Sequence, residues 1–247
     1  PRRSAVPATN NGVKRGLSFN DASLLKGFTS GQVKHKASWA YNWASSTSSL
    51  PSGMNFFPML WGSSSDHTSV WMKNAQAAID AGSTHLLFLN EPDLSSQSNV
   101  DPATAAKLWM QYMQPFAGKA TLVSPAITNS GSSGQGTSWM DSFISQCNKL
   151  GCQVDAIAAH IYSDASAVDY FKSYISGLSK YGKPVLMTEI GTSSGSASQQ
   201  AALVDELVPF LDGLDSVSHY AWFMAGPGFL VNNDGSLTSL GQTYQSA

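Results

Sequence analysis

Eight short apolar runs recur along this 247-residue chain, about one every 31 residues, and no other feature restricts its fold as strongly. They are Val13–Phe19, Lys36–Tyr41, Asn55–Leu60, His85–Leu89, Thr121–Ser124, Ala156–Ile161, Pro184–Thr188 and Ser218–Met224. Several are apolar on successive residues, as in Leu86-Leu87-Phe88-Leu89, which suits parallel strands covered on both faces. Helical patterns lie between them. The clearest spans Pro102–Ala117 after an Asp101 N-cap, with Ala105, Leu108, Trp109, Tyr112, Met113 and Phe116 on one face. Others cover His67–Ala81, Ser138–Leu150, Val168–Lys180 and Gln199–Leu211, with Gly82, Gly151 and Gly182 at C-cap positions. Pro209 is expected to kink or shorten the last of these, and Ala44–Met54 is too short and Ser-rich for a helix. Eight βα units of this length close into a (β/α)8 TIM barrel, for which ~250 residues is typical. An open doubly wound sheet would carry a Gly-rich phosphate turn after its first strand, and Gly16-Leu17-Ser18-Phe19-Asn20-Asp21 is no such turn. The reading is an α/β barrel in one domain, residues 13–247, after an N-terminal tail, residues 1–12.

Composition narrows the partners. Only 12% of residues are charged, and all three arginines (Arg2, Arg3, Arg15) fall in the first fifteen positions. Phosphate binding needs clustered Lys and Arg, so nucleic acid is not an expected partner. No apolar run reaches the ~18–20 residues of a membrane span. Low charge with abundant Ser, Thr, Asn, Gly and aromatic residues suits a neutral, hydroxyl-rich ligand. Cys147 and Cys152 are too few for a zinc site, and a local disulfide at a helix end is expected, with two free thiols as the alternative. The disulfide favours a secreted protein. The opening Pro1-Arg2-Arg3 resembles the start of a processed chain, and no Asn-x-Ser/Thr sequon occurs. A monomer is the default.

The chain has only three glutamates. Glu206 sits on the polar face of a helix. Glu91 and Glu189 each follow an apolar run, the fourth and the seventh, which would bring both to the C-terminal face of a barrel, where active sites sit. Paired carboxylates there suit glycosidic cleavage: one protonates the leaving oxygen and the other attacks or activates water. The absence of Gly-x-Ser-x-Gly and His-Glu-x-x-His words disfavours serine and metal hydrolases, and no metal or cofactor is expected.

Seven words, in order, carry a more specific likeness. They are Lys14-Arg15-Gly16-Leu17, Trp39-Ala40-Tyr41-Asn42-Trp43, Pro58-Met59-Leu60-Trp61-Gly62, Asn90-Glu91-Pro92-Asp93, Ser124-Pro125-Ala126, His160-Ile161-Tyr162 and Thr188-Glu189-Ile190-Gly191. Together they resemble glycoside hydrolase family 128, the β-1,3-glucanases of the retaining (β/α)8 clan. The resemblance implies Glu91 as acid/base, Glu189 as nucleophile and Asn90 near the sugar's 2-hydroxyl. Ile161 departs from the Trp the family more often has there, which touches subsite architecture. Trp39, Tyr41 and Trp43 alternate and share one strand face, and Trp61 and Trp222 end other strands. Aromatic faces pack on sugar C–H faces, so these join Asn42 as expected substrate contacts; Trp39 could equally fill the core. Trp71, Trp109 and Trp139 are expected in the core. His160 and Tyr162 share parity and could reach the nucleophilic carboxylate. Asp93 reads as a support or loop cap, and Asp234 as a turn residue. The expected partner is a β-glucan chain. The competing reading is a β-glucan oligosaccharide-binding protein on the same barrel with little or no turnover.

Overall fold

The apolar runs form a ring of parallel strands. The computed structural model describes residues 13–29 and 36–247; the expected tail, residues 1–12, lies outside the described residues. In chain order the strands are β1 (Arg15–Ser18), β2 (Trp39–Tyr41), β3 (Asn55–Phe56), β4 (Met59–Leu60), β5 (His85–Asn90), β6 (Thr121–Ile127), β7 (Ala156–Asp164), β8 (Val185–Ser194) and β9 (Val217–Trp222). The sheet runs β3-β2-β1-β9-β8-β7-β6-β5-β4. Nine strands appear where eight runs were read because Asn55–Leu60 is divided at Phe57-Pro58. Proline has no N–H to give a ladder. The carbonyl of Pro58 still accepts from Leu87 N–H at 2.9 Å, and Phe57 N–H donates to Ala40 at 3.0 Å. One interrupted strand therefore joins both ends of the sheet and closes the barrel.

Two apolar layers hold it. Leu87 points into the barrel with Trp39, Tyr41, Phe57, Met59 and Leu186, while Leu86 and Phe88 point outward to the helices. The large inner rings are accommodated by small residues on other strands: Ala126, Ala156, Ala158 and Ala221. Gly16 is a further instance, since a Cβ there would stand 2.2 Å from Trp39 Cε2. Alternating large and small side chains fill a barrel interior without voids.

The helices are α1 (Ser65–Asp80), α2 (Pro102–Leu108), α3 (Gly136–Leu150), α4 (Val168–Gly177), α5 (Ala197–Gly213) and α6 (Ser239–Ser246). Asp101 caps α2 as expected, accepting from Ala103 and Thr104 N–H at 3.1 and 3.0 Å. The expected single helix to Ala117 instead loosens into a π turn at Trp109–Met113 and a 3-10 turn at Gln114–Phe116. Pro115, which removes a donor and crowds the preceding turn, accounts for the change. Pro209, by contrast, does not end α5, which runs on to Gly213. The buried face of Leu203, Val204, Leu207, Val208 and Leu211 holds that helix through the one lost bond. Ala44–Met54 forms no helix, as read. Helix α6 had no clear periodic signal; Arg15 anchors it, its buried guanidinium donating to the carbonyls of Tyr244 and Ala247.

The expected Cys147–Cys152 disulfide is absent, and both residues stand as thiols at the end of α3. Backbone geometry already closes that end. Gly151, at φ 75°, reverses the chain, and Cys152 N–H donates to the Cys147 carbonyl at 3.0 Å, completing a Schellman turn. Among the described residues no helix is long and apolar enough to cross a membrane.

Candidate active site

At the C-terminal ends of the strands lies a cleft of about 760 Å³. Glu91, Glu189, Asn90, Trp43, Trp61 and Tyr162 all line it. Glu91 directly follows β5, and Glu189 lies within β8, paired in register with His160 of β7. Both carboxylates are buried, at 8% and 5% exposure. Because β7 and β8 stay paired as far as Asp164 and Ser194, they build a wall that rises above the rest of the barrel rim.

Glu189 is surrounded by donors. Tyr162 Oη–H donates to Oε2 at 2.5 Å and Trp43 Nε1–H to Oε1 at 2.8 Å, while the one Tyr41 hydroxyl proton is shared between Thr188 O at 3.1 Å and Oε1 at 3.4 Å. These donors fix the orientation of the buried carboxylate. Burial, reinforced by the Glu189 charge, pushes both tyrosine hydroxyls far above their ordinary pKa, so they remain donors. Tyr162 can stand so close because Gly191 has no side chain: a Cβ there would lie 2.5 Å from the Tyr162 ring.

Glu91 faces a different partner. His160, fully buried, brings Nδ1 to 2.8 Å from Glu91 Oε1 and Nε2 to 3.0 Å from Thr188 Oγ1. Nε2 is also 3.5 Å from Glu189 Oε1. Burial works against a charge on this imidazole, but Glu189 and Glu91 outweigh it and hold its pKa above the usual value. One donor atom from each of Glu91, His160 and Glu189 lies within 4.8 Å of the others, a number and spacing that could hold a cation. Each ring nitrogen of His160, however, is already engaged in a hydrogen bond. The trio reads as a proton-sharing network.

Backbone strain accompanies the chemistry. Glu91 and Trp43 have φ of 43° and 56°, a region costing a non-glycine residue about 1–3 kcal/mol. The chain is held there by Glu91 N–H to Ala126 O at 2.8 Å and Asn90 N–H to Trp61 O at 2.9 Å. Asn42 is not among the cleft residues. Its side chain accepts from Ala44 N–H at 3.2 Å and donates to Ser46 O at 3.0 Å, forming the turn that presents Trp43. Trp39 is fully buried, with its indole N–H on Lys14 O at 2.9 Å, so it belongs to the core. Trp222 is likewise 3% exposed and packs in the outer layer. By strand parity Ala221 points inward, so Phe223, two residues on, enters the cleft, while Trp222 lines a smaller cavity beside it. A cis peptide joins Phe223 to Met224.

Other cleft residues carried no sequence signal: Asn20, Leu94, Gln97, Thr128, Asn129 and Ser130 come from loops. Asp93 organises part of that wall, as expected of a support. It accepts from Thr128 Oγ1 at 2.5 Å, Thr128 N–H at 3.2 Å and Gly136 N–H at 2.8 Å. Asp234 is a turn residue, accepting from Ser236 N–H at 2.9 Å. Trp71, Trp109 and Trp139 are core residues.

Comparison with known proteins places this geometry among relatives. The family described as "Glycosyl hydrolase catalytic core" matches residues 16–244. The chain is 32% identical over 254 residues to alkali-sensitive linkage protein 1 of Schizosaccharomyces pombe. That match covers 94% of this chain and 44% of the relative, so the chain spans less than half of that protein. Among solved structures, a subgroup III curdlan-specific exo-β-1,3-glucanase of glycoside hydrolase family 128 from Blastomyces gilchristii, in complex with glucose, has a TM-score of 0.85 and 36% identity. The match covers 96% of this chain and 99% of that one. A subgroup I endo-β-1,3-glucanase of the same family from Amycolatopsis mediterranei, in complex with laminaritriose, gives 0.79 and 31%, covering 95% and 99%.

Proposed function

The chain belongs to the glycosyl hydrolase catalytic core family, and from that premise we propose that it cleaves β-1,3-glucan by a retaining double displacement. One observation carries the reading: two buried carboxylates with opposite surroundings stand at retaining distance. Retaining pairs lie about 5–5.5 Å apart and inverting pairs about 6.5–9.5 Å, and the facing oxygens of Glu91 and Glu189 come within 4.8 Å, on the retaining side of that divide. Glu189, oriented by Tyr162 and Trp43, is the nucleophile and attacks the anomeric carbon. Glu91 protonates the departing glycosidic oxygen, the proton being shared across the 2.8 Å contact with His160. Water then enters, Glu91 takes its proton, and hydroxide displaces Glu189 from the same face that the leaving group vacated. Two inversions give net retention. Asn90, Trp43 and Trp61 line the cleft where the sugar would lie, and similar structures are in complex with glucose and with laminaritriose.

The test is incubation with laminarin. New reducing ends, formed with the substrate's anomeric configuration, are the expected result. Binding without release would instead identify a glucan-binding protein.

Gly191 offers a finer check. Gly191→Ala is expected to push Tyr162 off Glu189 and lower kcat about 10²-fold, as loss of one preorganised hydrogen bond does, with KM nearly unchanged. Tyr162→Phe should match it, and the double variant should be no worse than either single change. Additive losses would mean that Gly191 acts through something other than Tyr162.

A further inference from the structure

Strand β7 outruns one of its neighbours. Its pairing with β6 ends at Ile127 and Ala159, whereas β8 stays beside it as far as Asp164. Tyr162 therefore stands past the end of the β6 ladder. Its backbone N–H and carbonyl both turn to Asn129, in the loop that follows β6. Asn129 Oδ1 accepts from Tyr162 N–H at 3.1 Å, and Asn129 Nδ2 donates to Tyr162 O at 3.1 Å. We infer that Asn129 is a positioning residue: its side-chain amide replaces the missing rung of the sheet and so sets the Tyr162 hydroxyl on Glu189. The inference rests on the glucanase reading above and names a residue that acts on the nucleophile through Tyr162.

Three observations carry it. The first is chemical fit. A strand residue facing a neighbour needs an acceptor for its N–H and a donor for its carbonyl, and a planar amide offers both side by side. The second is that Asn129 is itself fixed. The Tyr170 hydroxyl accepts from Nδ2 at 3.0 Å, so the amide has partners on both sides. On the preceding residue, Thr128 Oγ1–H donates to Asp93 at 2.5 Å and the carbonyl accepts from Tyr174 Oη–H at 3.2 Å. The third is leverage. Tyr162 carries its hydroxyl at the far end of a rigid ring, 2.5 Å from Glu189 Oε2. A small tilt of its backbone is magnified there, and a misplacement of about 1 Å can cost ~10²-fold in rate.

The experiment compares wild type, Asn129→Ala, Tyr162→Phe and the double variant on laminarin, with the melting temperature of each recorded. Asn129→Ala should lower kcat about tenfold, less than the ~10²-fold of removing the hydroxyl outright, with KM nearly unchanged. In the Tyr162→Phe background the same change should cost nothing further. Asn129 also lines the cleft, and a rise in KM alone would make it a sugar contact instead. That result, an unchanged kcat, or a full further loss in the Tyr162→Phe background overturns the inference. If Asn129→Ala does not fold, Asn129→Asp carries the same comparison. It keeps the shape and the acceptor for Tyr162 N–H but sets an oxygen against the Tyr162 carbonyl. A second readout needs no turnover. With tyrosine labelled with carbon-13 at Cζ, the Tyr162 line is identified by its absence from Tyr162→Phe. In Asn129→Ala it should move towards its position in Glu189→Gln, where the charged acceptor is gone. If wild type releases no reducing ends from laminarin, the glucanase reading fails and this line decides separately. A line that moves supports the positioning role of Asn129; a line that stays removes it.

Discussion

Replacing Glu189 with Gln is expected to lower kcat on laminarin by about 10⁴-fold or more, with KM nearly unchanged. The amide keeps the shape that Tyr162, Trp43 and Tyr41 enclose but loses the charge they stabilise, so the substrate still binds and the covalent step fails. The smaller Glu189→Ala change opens that face to an external nucleophile. Azide added to this variant should attack the anomeric carbon directly and give a glycosyl azide of inverted configuration. In Glu91→Ala the glycosyl-enzyme can still form from a substrate with a good leaving group, and azide should then give the retained product. Proton NMR of the fresh azides separates the two. A retained azide from Glu189→Ala, or activity in Glu189→Gln within a hundredfold of wild type, would reverse the roles given to the two glutamates.

A second large effect is expected in the response of stability to acid. His85 and His219 lie inside the lower barrel, their ring centroids 4.6 Å apart, with His85 stacked on Phe57 at 4.3 Å. Burial pushes His85 down to about 4; burial, with His85 as neighbour, pushes His219 down to about 3. In the unfolded chain both titrate near 6.5. Their folded values are depressed, so the neutral pair contributes stability that is fully present above pH 6.5. That stability is lost as pH falls from there towards 4, because the unfolded chain takes up two protons that the folded barrel refuses. Two protons correspond to about 2–3 kcal/mol per pH unit over that range. His160 does not offset this slope: its pKa is raised, so its contribution is complete below 6.5 and is lost only as pH rises through its folded value. Urea unfolding from pH 7.5 to 4.5 should show the loss, and His219→Gln should roughly halve the slope. An unchanged slope in that variant would mean that other groups govern acid unfolding.

Glu91 and Glu189 were identifiable in the chain because scarcity and position agreed. Only three glutamates occur, and two of them end apolar runs whose order puts them on one rim. Tyr162 was identifiable through its parity with His160. Several aromatic residues were not separable in this way. Trp39, Tyr41 and Trp43 share a strand face, yet their depth along the barrel differs: Trp39 sits over Gly16 in the core, Tyr41 brings its hydroxyl to 3.4 Å from Glu189, and Trp43 reaches the cleft. Alternation reports which side of a strand a residue faces but not its height. Trp222 shows the complementary point: it packs in the outer layer and lines a cavity beside the cleft, while Phe223 holds the inward parity.

By itself the sequence determined the repeat, the barrel and the two carboxylates, because these depend on hydrophobic period and on order along the chain. Tyr162 aside, only the tertiary structure decided the partners of those carboxylates. The three donors of Glu189 come from positions 41, 43 and 162, while His160 of β7 reaches Glu91 beyond β5. It also decided the loop-built walls around Asn129 and Phe229, which carry no period to read. A hydrogen bond between residues more than a hundred positions apart depends on barrel closure and shear, and these follow from packing Trp39 and Phe57 against the small alanines, which no local pattern encodes.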